Sequence, residues 1–366
     1  MQRETCDRLI DALSLRGGGL AAVRGKEFYA LLDELFTEEE GELASRMPLG
    51  LASAEDIAKA AGRATEDVAE LLERMADKGL VISSDKGGIR RYNLPPLVPG
   101  IFEFQFMKGE VSDRTRRMAR LFEDYFKATW KDQGARRGAS LPFARVIPVE
   151  KEIAPGVNVY PYEQLSEYIK KTEHIAVSTC YCRHHGELLG RPCDKPKDVC
   201  LSFGPSAKFN AERGFGRLIS KQEAMEILDR SEEAGLVHCS SNTSKYIDFI
   251  CNCCICHCGI LQTLKESRSH AFGAVSGFIV EVDGDRCVGC ETCVGRCPMG
   301  ALAMAGETVQ RNASQCIGCG LCVSSCPSEA LSLASREGME PPPRDYKELM
   351  MRMMARTGGQ RSTAPG

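Results

Sequence analysis

Between residues 287 and 327 the chain carries one cysteine pattern twice, C-x2-C-x2-C-x3-C-P, with an offset of 29 residues. Cys287, Cys290, Cys293, Cys297 and Pro298 map onto Cys316, Cys319, Cys322, Cys326 and Pro327, and Ala301-Leu302 onto Ala330-Leu331. The spacing has a physical reason. Three thiolates set two residues apart line a tight loop that can wrap one face of a metal cluster, and Gly289 and Gly318 permit the turn. The proline after the fourth cysteine ends the loop. Zinc is the competing occupant, but zinc sites usually use two C-x2-C pairs, not two full copies of a triple-plus-CP run.

The whole chain has 366 residues and 19 cysteines, far more thiols than a packed core requires. Only Cys6 precedes residue 180; ten cysteines lie between Cys180 and Cys258, and eight between Cys287 and Cys326. The N-terminus lacks the basic start and apolar stretch of a secretory signal. No segment offers the ~18 uninterrupted apolar residues of a spanning helix, since the most apolar run, Ile247 to Leu264, is broken by Asp248, Asn252 and His257. A cytoplasmic protein without a membrane span is therefore expected, and in a reducing cytosol the thiols read as metal ligands before disulfides. A net charge of −3 gives no general pull toward nucleic acid.

The stretch from about Ser276 to Leu333 resembles a bacterial-type two-cluster 4Fe-4S ferredoxin. The resemblance implies that Cys287, Cys290, Cys293 and Cys326 hold one cluster while Cys316, Cys319, Cys322 and Cys297 hold the other, the fourth cysteine of each run serving the opposite site. It also implies short strands at Phe278–Val282 and around Thr308–Gln310, and one-electron, low-potential work.

Residues 50–93 carry a different signal. Ser53 and its following acids mark a helix start, a second start follows Gly62, and Val68, Leu71, Leu72 and Met75 recur at helical spacing. Residues 80–94 then read as a hairpin around Asp85–Gly88. Helix, helix and hairpin in this order resemble a winged helix-turn-helix. Its second helix would have to meet phosphates, yet it carries Glu66, Asp67, Glu70, Glu73 and Asp77 against Arg74 and Lys78. Residues 50–93 hold seven basic and eight acidic side chains, leaving Lys86, Arg90 and Arg91 of the hairpin as the only plausible backbone contacts. A protein-docking or structural module fits this charge better than a DNA reader, and nucleic acid is not an expected partner.

The ten middle cysteines, Cys180 to Cys258, are arranged similarly to those of iron-sulfur proteins of anaerobes, a resemblance that implies no particular activity. Cys180, Cys182, Cys193 and Cys200 make a four-thiolate set for a third 4Fe-4S cluster or a structural zinc. A C-x-C on an extended chain would place both thiols on one face. Arg183 is a candidate donor to cluster sulfur, while His184 and His185 read as exposed polar residues. Cys251, Cys253, Cys254, Cys256 and Cys258 supply a fourth cluster or lend ligands to the first group. In an extended chain Cys253 and Cys254 point to opposite sides. Cys239 stands alone, and two or three of the ten suit a role as small buried hydrophobes.

The expected architecture is a multidomain α+β protein: a winged-helix-like domain at 1–95, a linker and helix at 96–150, a Cys-rich α/β domain at 151–275, a two-cluster ferredoxin domain at 276–335, and a Met-rich helix with a disordered tail at 336–366. Two 4Fe-4S clusters are expected, with one or two further clusters or a zinc ion. The expected function is electron transfer between a redox partner protein and the Cys-rich domain, as a component of an oxidoreductase system. Two alternatives stay open: a reductase with an open-sided cluster or reactive thiol within 180–258, and a redox-sensing winged-helix regulator.

Overall fold

In the computed structural model, residues 1–17, 22–137, 142–153, 163–267, 275–349 and 351–352 are described. The chain divides into two compact units: Met1–Arg136 with Ser178–Pro192 and Lys208–Arg217, and Arg137–Val177 with Cys193–Ala207 and Leu218–Gly366.

The first unit opens with α1 (Arg3–Leu15), α2 (Lys26–Leu35) and α3 (Glu38–Arg46). The Thr37 hydroxyl accepts from Glu40 N–H while the Glu40 carboxylate accepts from Thr37 N–H, satisfying two donors that a helix start leaves unpaired. Strand β1 (Ala52–Ser53) leads into α4 (Ala54–Ala61), where Ser53 and Asp56 form the same reciprocal cap and left-handed Gly62 ends the helix. Helix α5 (Thr65–Asp77) follows, then β2 (Ile82–Lys86) and β3 (Ile89–Asn93). The helix, helix, hairpin order read from residues 50–93 is present, and β1 joins the hairpin in an antiparallel sheet of order β1-β3-β2. Val68, Leu71, Leu72 and Met75 point inward as their spacing predicts. A short α6 (Phe102–Phe104) precedes the long α7 (Asp113–Arg137), whose Met118, Phe122 and Tyr125 join the same core.

The acids of α5 serve structure. Glu73 accepts from the Tyr92 hydroxyl at 2.6 Å and pairs with Arg213 at 2.6 Å, and Asp77 pairs with Arg213 at 2.7 Å. Arg90 of the hairpin is held by Glu73, Asp85 and Glu212 at 3.3, 3.0 and 2.5 Å.

The second unit begins with β4 (Ala144–Val146), α8 (Leu165–Lys171) and β5 (Ile175–Thr179). The chain then runs through first-unit residues bearing α9 (Tyr181–Leu188), and continues with β6 (Asp198–Phe203), α10 (Gly204–Glu212), whose residues from Lys208 on count with the first unit, β7 (Arg217–Ile219), α11 (Lys221–Glu233), β8 (Val237–Ser241) and β9 (Phe249–Cys253). These strands form a six-stranded sheet of order β4-β8-β9-β6-β5-β7, antiparallel from β4 through β6. Helix α12 (Gly259–Ser267) comes next.

The cysteine repeat closes the unit with β10 (Phe278–Val282), the one-turn α13 (Thr292–Arg296), the hairpin β11 (Leu302–Ala305) and β12 (Thr308–Arg311), and β13 (Leu331–Ser335), which returns to β10. The two strands expected before the ligand loops are β10 and β12. The repeat is also visible in the backbone: Gly289 and Gly318, Glu291 and Gly320, and Gly300 and Glu329 are all left-handed, each pair 29 residues apart. Arg296 fastens this segment to α11 by donating to the Glu232 and Glu233 carbonyls at its C-terminal end. The methionine helix read at Met350–Met354 and the tail beyond it lie outside the described residues, apart from Met351 and Arg352.

Candidate metal centres

Three groups of candidate sulfur ligands occur among the described residues of the second unit. The first belongs to the repeat. One cavity is lined by Cys297, Cys316, Cys319 and Cys322, with apolar walls from Val280, Met299 and Ile317. It therefore brings the last cysteine of the first run to the first three of the second. Burial pushes the Cys319 thiol up to about 12, and burial with the neighbouring Cys319, Cys297 and Cys316 pushes Cys322 higher still. Such thiols keep their protons until a cation arrives to replace them. Arg336 donates to the Cys316 carbonyl at 2.7 Å, and its guanidinium lies in the field of the Cys316 thiol.

On the other side of the repeat, burial raises the Cys293 thiol, which lies in the field of Cys326 and Cys290. Cys290 is exposed and its thiol is held low by a hydrogen bond with the Thr292 hydroxyl at 3.4 Å. The two halves treat their fourth cysteine alike: Ala301 N–H donates to Cys297 Sγ and Ala330 N–H to Cys326 Sγ, both at 3.3 Å. A backbone donor aimed at sulfur stabilises the thiolate form and a cluster bound to it. Four thiols in an apolar cavity, with the Ala301 amide donating to the Cys297 sulfur, fit a 4Fe-4S cluster.

A second group is more compact. The ligand atoms of Cys193, Cys254, Cys256 and His257 all lie within 4.8 Å of one another. Cys193 and Cys256 sulfurs are 3.5 Å apart, and Cys254 Sγ is 3.8 Å from His257 Nδ1. Sulfurs on one tetrahedral ion, each about 2.3 Å from it, stand about 3.8 Å apart, so this set suits a single ion. Burial and the neighbouring Cys254 and Cys193 push the Cys256 thiol up to about 12, although Cys256 is the exposed member. Gln262 Nε2 braces the loop by donating to the Cys256 carbonyl at 2.9 Å.

The third group follows from strand pairing. Cys239 on β8 lies directly opposite Cys251 on β9, and Cys253 is two residues farther along β9. The Cys253 thiol is within reach of Cys239, Cys251 and Cys258, and these contacts together with burial raise it well above the ordinary thiol range. Cys253 and Cys254, adjacent in sequence, thus face different groups.

The set read from the sequence as Cys180, Cys182, Cys193 and Cys200 is spread over both units: Cys180 and Cys182 in the first, Cys193 and Cys200 in the second. The C-x-C pair does not lie on an extended chain. Cys180 caps α9 and Cys182 is in its first turn, because the residues after them sustain a helix. His184 and His185 are not exposed either; both are buried, with His184 Nε2 2.9 Å from the Glu110 carbonyl and His185 Nε2 3.1 Å from that of Ala119. Helical spacing turns this pair into the core, where Phe102 and Phe106 meet His185 edge-on. Arg183 is buried as well.

Neither His257 as a candidate ligand nor a partner for Cys239 is read from the sequence alone. His257 had a local signal, a nitrogen donor inside a five-cysteine run; Cys239 had none, since only the β8–β9 register brings it to Cys251.

Comparison with known families matches residues 279–327 to the family described as a 4Fe-4S dicluster domain. Comparisons with curated proteins and with solved structures gave no match. The C-terminal segment is thus an iron-sulfur domain, and no helix among the described residues is long and apolar enough to cross a membrane.

Proposed function

We propose that this chain is an electron-transfer protein that moves single low-potential electrons between a redox partner protein and the metal-binding thiols of residues 193–258. The observation that carries the reading is the cavity lined by Cys297, Cys316, Cys319 and Cys322, which unites ligands from both runs. A bound 4Fe-4S cluster supplies the one-electron couple. The chain's residues tune it: Val280, Met299 and Ile317 exclude water, the Ala301 and Ala330 amides donate to sulfur, and Arg336 adds positive charge beside Cys316. Cys290, exposed beside its site, offers a place where a donor can approach closely, and such encounters need only modest interfaces. The acidic helix–hairpin module of residues 50–93 is read as a docking element for the partner.

Iron and acid-labile sulfide in anaerobically purified protein test the reading. The segment from Ser276 on should hold about eight irons, and Cys293→Ser should remove about half of them. Stoichiometric zinc with negligible iron after anaerobic reconstitution would refute it.

A second reading, a reductase acting at the Cys193, Cys254, Cys256 and His257 group, draws support from the exposure of Cys256. It predicts that a small-molecule substrate perturbs the spectrum of a metal bound there. A redox-sensing regulator is disfavoured by the charge of α5 and by the engagement of Arg90 with carboxylates.

A further inference from the structure

The cysteines that the repeat and the compact quartet leave over include four buried thiols that converge. Cys239 and Cys251 are direct partners across the antiparallel β8–β9 ladder, where opposed side chains share a face with Cβ atoms about 5 Å apart. Cys253, two residues from Cys251, emerges on that same face. Cys258, in the loop after β9, is a hydrogen-bond partner of the Cys253 thiol; its N–H donates to the Cys254 carbonyl at 3.1 Å, closing one turn, and its carbonyl accepts from Gln262 as α12 begins. The opposite face of β9 is accounted for differently, since Asn252 is fully buried and bonds His238 Nδ1 and the Val199 carbonyl.

The four residues are 0%, 8%, 7% and 4% exposed for Cys239, Cys251, Cys253 and Cys258, so the site they form is shielded from water. As mere hydrophobic filling they would be unusual, because four sulfurs directed at one point gain nothing over alanine or valine in packing. Cys193, Cys254, Cys256 and His257 already form a set compact enough for a single ion. This foursome adds four thiolates, the ligand set of a 4Fe-4S cluster, in a chain whose residues 279–327 match a 4Fe-4S dicluster domain.

Position adds a second argument. Val146 on β4 pairs with Cys239, and three residues later Val149 N–H donates to the Cys319 carbonyl at 3.0 Å. This short segment links the foursome to the ligand loop of the repeat.

We propose that Cys239, Cys251, Cys253 and Cys258 bind a third 4Fe-4S cluster, adjacent to the cavity of Cys297, Cys316, Cys319 and Cys322. Its role as the next carrier rests on the electron-transfer reading above; the ligand assignment does not. The test uses the full chain, reconstituted anaerobically with iron and sulfide. Cys253→Ser and, separately, Cys239→Ser should each lose about four irons and four sulfides per chain while the remaining clusters keep their reduced EPR signals. Unchanged iron in both variants overturns the proposal, as does the loss of one zinc in place of iron. If one variant fails to fold, as judged by its circular dichroism, the other decides. Cys293→Ser, prepared alongside, reports on the repeat alone: iron unchanged there sinks the electron-transfer reading, while the Cys253 and Cys239 results independently decide the third site.

Discussion

Glu103 lies inside the first unit, and burial pushes its carboxyl up from the ordinary 4.5 to about 7, against the lowering effect of the Gly100 N–H at 2.6 Å. Below about pH 4.5 the group is protonated in both folded and unfolded chains and contributes no difference. Between that value and about 7 the folded state keeps a proton that the unfolded chain has released, so stability falls as pH rises and levels off above 7. Glu103→Gln should therefore raise stability at pH 8 by up to roughly 3 kcal/mol and flatten the trend. Denaturant midpoints at pH 5 and pH 8 measure it, and an equally steep trend in the variant would count against it. Gly318 sits under a different constraint. Its φ is +68°, and a Cβ there would collide with the Phe278 carbonyl and the Ser276 hydroxyl. Gly318→Ala should cost about 2 kcal/mol or more and reduce iron loading, whereas Gly284→Ala, which meets nothing within 4 Å, should do neither. At Arg336 the expected change is electronic. Arg336→Gln removes a positive charge beside Cys316 and should lower one cluster potential by on the order of tens of millivolts in a redox titration.

Among the elements, α5 shows how a charge pattern acquires meaning only in three dimensions. Its acids looked like a bar to DNA; in the fold, Glu73 and Asp77 also anchor Arg213, whose side chain is only 6% exposed. Arg213→Ala should destabilise the protein by about 1 kcal/mol, seen as a lower denaturant midpoint, because it removes a buried arginine from two partly exposed carboxylates whose attraction water screens. With Arg90 held by three carboxylates, one of the three basic side chains of the hairpin is engaged within the fold, and the full chain should show no salt-sensitive duplex binding. The same contrast governs what the sequence made legible. The repeat was readable because its ligand loops are local and its turns are fixed by Gly289 and Gly318, and the Ser53 cap and the spacing from Val68 to Met75 are local as well. The partition of the middle cysteines was not, because it depends on β8 meeting β9 in one register and on Cys193 approaching Cys256 across 63 residues. His184 and His185 were misread as exposed because a helix, not a strand, follows Cys180, and a helix turns both rings inward.

At the scale of the second unit, exposed sulfur occurs in two places, Cys290 in the repeat and Cys256 in the compact quartet, while the foursome around Cys253 is buried. If electrons enter near Cys290, the quartet is either their outlet or a structural clamp, and metal identity separates the two. Its close spacing and its Cys3His donor set argue for one ion without sulfide, and zinc, which has no redox chemistry, would make it a clamp. The clamp joins Cys193 to the loop between β9 and α12. An ion bound only by the folded chain should stabilise it by about 4 kcal/mol when its concentration is a thousandfold above the dissociation constant. Chelation under anaerobic conditions should thus release about one zinc per chain and lower the thermal midpoint, with cluster absorbance retained. His257→Ala and Cys254→Ser should abolish both the zinc and the chelator effect. Zinc retained at full stoichiometry in both variants would remove the quartet as its site; iron released in place of zinc, with a change in the reduced EPR spectrum, would make it a redox outlet and favour the reductase reading.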